Sequence, residues 1–163
     1  AADATGRAIV AGEDIRVAGS IHSQGTLEAG GDIRADWGID VQRAIVCGGH
    51  VRAAWDVICH GKLSLAGSVF AGQDLSVQGL IECGKSLHAG GAIAGAQSIR
   101  AGQGILAGGR ISAGVHLEAG WGIRAGQAIH ANGAIKAGES LSAGDEIRAG
   151  VGAGSRRCRD SRR

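Results

Sequence analysis

Six histidines, four cysteines, three tryptophans and a run of C-terminal arginines are the side chains of this 163-residue chain that could do chemistry. A histidine beside a nucleophile would act as a general base. Cysteines and histidines at ligand spacing would hold zinc. Exposed tryptophans anchor contacts, and clustered arginines attract polyanions. None of these patterns converges. His22, His88 and His130 recur in one local sequence position, and His50, His60 and His116 fall in others. Cys47, Cys59 and Cys83 match no zinc spacing, even with His60 nearby, so no metal and no cofactor is expected. Arg156, Arg157, Arg159, Arg162 and Arg163, against Asp160, give the end of the chain a net +4 within a total of +2, leaving the rest at −2. That stretch is a candidate electrostatic site for nucleic acid, or a plain solubilising tail.

The elements that must position these residues are set by a repeat. Every sixth residue from Ile9 to Ile147 is Ile, Leu or Val, followed two places on by a small residue and three places on usually by Gly. Ile123-Arg124-Ala125-Gly126-Gln127-Ala128 is the clearest unit. With 31 Gly, no Pro and no Gly-free run before the tail longer than His50 to His60, helix is excluded. Collagen fails for want of Pro, and disorder for the abundance of aliphatic residues. The alternation fits a strand of three residues: the first and third point inward, the second outward, and Gly with the next two residues turns the corner. One hexad cannot bury its aliphatic residue alone; stacked coils can. An all-β parallel solenoid of 24 hexads follows, with residues 1–8 as lead-in, 9–152 as the solenoid and 153–163 as the basic tail.

The period resembles that of hexapeptide-repeat solenoids, which imply three hexads per triangular coil, here eight coils of 18 residues. The exceptions point instead to two hexads per coil. Val17, Val41, Leu65 and Val77, bulky at the inward small site, all fall in alternate hexads. The three cysteines there, and the outward apolar residues Val10, Val46, Ile58, Phe70 and Leu106, all fall in the others. This sorting favours 12 coils of 12 residues with two sheets, the triangular form being the runner-up. It makes Cys47 and Cys59 inward neighbours, and buried thiols of this kind fit a reducing, cytoplasmic compartment.

Two unlike faces follow from the shorter coil: one polar, the other crossed by an apolar stripe. Reversed against a second copy, Val46 meets Leu106, Ile58 meets Ala94, Phe70 meets Glu82, and Arg34 meets Glu118 at the rim. An antiparallel homodimer is the expected use. Neither flank carries an obvious cap, so an end-to-end polymer is a second mode; bactofilins, polymer-forming bacterial β-helix proteins, are similar in broad character. A binding surface for a different protein is a third. The hexad period is also that of hexapeptide acyltransferases, which implies a catalytic His at a cleft between subunits, but the register is uninterrupted and leaves no extruded loop. Insect antifreeze solenoids resemble the 12-residue coil, yet rely on ranks of Thr, and only Thr5 and Thr26 occur here. No signal peptide or membrane span is visible, and a chain opening on Ala reads as processed or excerpted. The expectation is a non-enzymatic contact protein.

Overall fold

The computed structural model describes residues 4–6 and 8–150, and the tail arginines lie outside them. Between these limits the chain winds as a parallel β-solenoid of strands three or four residues long, with no helix. Sheet A begins with Ala4–Gly6 and Ile21–Ser23 and ends with Ile147–Ala149; sheet B runs from Ile9–Ala11 to Ile135–Ala137; sheet C runs from Ile15–Val17 to Ser140–Ala143. The three have nine, eight and eight strands. The lead-in therefore contains a strand of its own, Ala4–Gly6, paired with Ile21–Ser23.

The coil has 18 residues and three sides, which corrects the 12-residue, two-sheet form. Val57 pairs with Ile39 on one side and Leu75 on the other, and the same offset runs through all three sheets. Each coil thus sends three aliphatic side chains to its centre, one per sheet, as Ile93, Ile99 and Ile105 do at 1 % exposure or less. Burying each contributes roughly 1.5–3 kcal/mol. The inward exceptions Val17, Val41, Leu65 and Val77 are divided among sheets C, A, B and A. The third strand position accepts a larger side chain on any side of the triangle, and so does not report the number of sides.

Corners keep their backbone paired from coil to coil. Trp55 N–H donates to the Trp37 carbonyl at 3.0 Å, Gln73 to Trp55 at 3.1 Å, and Gly91 to Gln73 at 2.7 Å. This close stacking is why Gly follows so many strands: a Cβ on Gly48 would overlap the Gly30 carbonyl, and its φ lies outside the left-handed region. Ala66, next in that column, shows that one methyl is accommodated. The last corner position supplies side-chain acceptors. Asp14 Oδ1 accepts the Asp32 N–H at 2.8 Å, Asp32 Oδ1 accepts His50 N–H at 2.7 Å, and His50 Nδ1 accepts Ser68 N–H at 2.8 Å. His116 Nδ1 likewise accepts Ala134 N–H at 3.0 Å. His50 and His116 are therefore structural caps with the ring proton on Nε2.

Candidate interaction surface

The longer coil redistributes the expected contact residues. Ile58 and Ala94 stand on sheet A, Val46 and Glu118 on sheet B, and Arg34, Phe70 and Leu106 on sheet C. The continuous apolar stripe is therefore replaced by three separate rows. Ile58 and Ala94 remain on one face, two coils apart, with Ser76 between them. Phe70 and Leu106 flank His88 in the same way, and Arg34 and Glu118 no longer share a rim.

Sheet C presents a cationic and aromatic row. Arg16, Arg34 and Arg52 are cross-strand neighbours, followed by Phe70 and His88. Arg52 lies over the Phe70 ring at 5.2 Å, and the Phe70 and His88 rings are 5.6 Å apart. Asp14 and Asp36 sit beside Arg16 and Arg34 at 3.7 and 3.5 Å, offsetting part of the repulsion along the row. Sheet B carries acidic Glu28, Glu82 and Glu118 among its outward residues, and Arg100 pairs with Glu118 at 3.4 Å. Sheet A differs from both, because Ile58, Ser76, Ala94 and Ser112 follow one another without a charge.

The largest exposed apolar groups lie at the corners. Trp37 and Trp55 are 60 % and 61 % exposed, and their rings stack at 6.2 Å with 14° between planes. They border sheets C and A. Trp121, 55 % exposed, lies between sheets B and C, at the edge of a shallow depression of about 510 Å³ that also meets His88, Arg124 and Glu139. Sorting the sequence by 18 would have found the tryptophan pair, since Trp37 and Trp55 differ by one coil.

The titratable groups meet in small sets. His130 Nε2 meets Glu146 Oε1 at 3.1 Å, and Arg148 Nε meets Glu146 Oε2 at 3.1 Å. The hydrogen bond from His130, with the Arg148 charge beside it, holds the Glu146 carboxyl below its usual range. His60 lies 3.9 Å from Asp40. Among the described residues no group of three His, Cys, Asp or Glu side chains could hold a metal ion, and no helix is long and apolar enough to cross a membrane.

Cys47, Cys59 and Cys83 are buried free thiols. Cys47 and Cys59 are not neighbours, contrary to the shorter coil: Cys47 and Cys83 flank Leu65 on sheet B, and Cys59 is on sheet A. Each Sγ–H donates to corner carbonyls, as Cys83 does to Gly67 at 2.9 Å and Ser86 at 3.1 Å. Burial pushes all three thiols above their ordinary value, although backbone N–H groups oppose part of the rise.

A triangular parallel β-solenoid with unlike outer faces is the class that these features define. No protein-family model matches the chain, and neither curated proteins nor solved structures give a match.

Proposed function

We propose that this chain is a structural contact protein, a rigid β-solenoid that works by associating with copies of itself. One observation carries the reading: tryptophans more than half exposed are held outward on backbone fixed by pairing to the coils above and below. Large apolar side chains displayed in this way lose water only when another surface covers them. A rigid frame also spares the entropy of ordering them on contact.

Faces and ends give two geometries for that association. A face-to-face contact yields a closed pair. An end-to-end contact would use the partly buried Ile9, Val17, Ala137 and Ile147 of the outer coils and yield an open series.

Light scattering on a sizing column, across a range of concentrations, tests the proposal. The expected mass is about 32 kDa, twice the 16.2 kDa of one chain. A ladder of larger masses would support self-association through the ends. A mass of one chain at every concentration would overturn the reading and turn the search to a different protein.

A further inference from the structure

We infer that sheet A is the self-contact, and that a second copy of this chain docks on it antiparallel, with the two-fold axis running along the strands between Ser76 and Ala94. The inference rests on the self-association reading and names its surface. The four uncharged outward residues form the centre of that face. Reversing one copy against the other sets Ser76 on Ala94, Ile58 on Ser112 and Asp40 on His130, and symmetry repeats each contact.

Charge distinguishes this face from the other two. The same reversal on sheet B sets Glu28 on Glu118, and on sheet C it sets Arg34 on Arg124. Like charges facing across a contact oppose it, whereas on sheet A the carboxylate of Asp40 meets the His130 imidazole, in a cluster where the Arg148 guanidinium is already paired with the Glu146 carboxylate. In this register sheet A brings no like charges together at its centre.

Shape agrees along both borders of the sheet. On the edge carrying the stacked indoles, Trp55 falls opposite Gly109 and Gln73 opposite Gly91. On the other edge, Val115, 41 % exposed, falls opposite Gly61, and Gln97 opposite Gly79. Each of these four side chains meets a residue that has none, so these columns mesh and the flat centres can approach to about 10 Å. Trp37 is the exception, meeting the flexible Gln127. A face of eight coils, roughly 38 Å long and about 15 Å wide, buries on the order of 1,000 Å² in the pair, so dilution should dissociate it.

Sedimentation equilibrium on the full chain and its variants tests the assignment. Trp55→Ala and Gly109→Gln are each expected to raise the dissociation constant at least tenfold. Gln already occupies that corner row at Gln73 and Gln127, so the second variant keeps the coil. Trp121→Ala, away from sheet A, should leave the constant within about twofold. Asp40→Lys should weaken the pair, and adding His130→Glu should restore it. Dissociation by Trp121→Ala with no effect of Trp55→Ala, or no recovery in the charge swap, would overturn this surface while leaving self-association standing. A wild-type protein that is never more than one chain would overturn both.

Discussion

Above pH 9 the fold should lose stability as pH rises, and replacing Cys47, Cys59 and Cys83 by Ala should abolish most of that slope. The thiols are 3 %, 0 % and 5 % exposed, and burial is the largest cause of their raised pKa. In the unfolded chain they ionise near their ordinary value of 9.0, whereas in the folded chain burial moves their ionisation to higher pH. Below that pH both states hold them, and the thiols contribute no pH dependence. Above it the unfolded state binds fewer protons, so stability falls as pH rises. A thiol that is ionised in the unfolded chain and protonated in the folded one contributes at most roughly 1.4 kcal/mol per pH unit. No Tyr is present to titrate in the same window. Ala is the common residue at this inward site, so the triple variant keeps the packing pattern. Denaturant unfolding at pH 8 and pH 10 reads the slope. Equal slopes in the two proteins would mean that the thiols ionise as readily folded as unfolded.

Leu75→Ala is the second large effect, at about 3 kcal/mol. Leu75 is fully buried in mid-column, between Val57 and Ile93 on its own sheet. Removing its branched end leaves a cavity that strands locked to both neighbours cannot close. Ile147→Ala should cost less, about 1 kcal/mol, because Ile147 is only partly buried. Guanidinium unfolding of both variants measures the difference. Equal losses would show that the core is not graded from its middle to its last coil.

Much of this architecture is legible in the residues. The hexad states which side chains face inward, and the strands from Ile9–Ala11 to Ile147–Ala149 begin at a sixth residue, except Gly122–Ala125 and Ser140–Ala143, which begin one residue earlier. The number of hexads per coil is harder to read, because every hexad offers the same aliphatic residue to the core. The alternate-hexad pattern of Val17, Val41, Leu65 and Val77 has no counterpart in the coil. A better signal lies in side chains that touch across coils, since those must recur at the coil length. Trp37 with Trp55, and Asp14 with Asp32 and His50, are such sets, each separated by 18. His50 and His116 have no assigned role in the hexad until the corner N–H groups that they accept are in view.

The contact surface shows the same division. Ile58 and Ala94 remain together because 36 is a multiple of both 12 and 18, whereas Val46, Phe70 and Arg34 leave that face. Trp55 and Gly109 enter the account only through the corner column that the longer coil creates.

A single nitroxide at position 22 tests the central claim most directly. His22 is exposed on the early end of sheet A, and the antiparallel pair sets it against Arg148 of the second copy, seven coils away. His22→Cys in a Cys158→Ser background leaves only the three buried thiols, which should resist the label. Pulsed dipolar spectroscopy should then give one distance between copies near 35 Å, from about 4.8 Å per coil and about 10 Å between faces. A distance under about 20 Å, or no coupling between copies, would contradict the antiparallel contact.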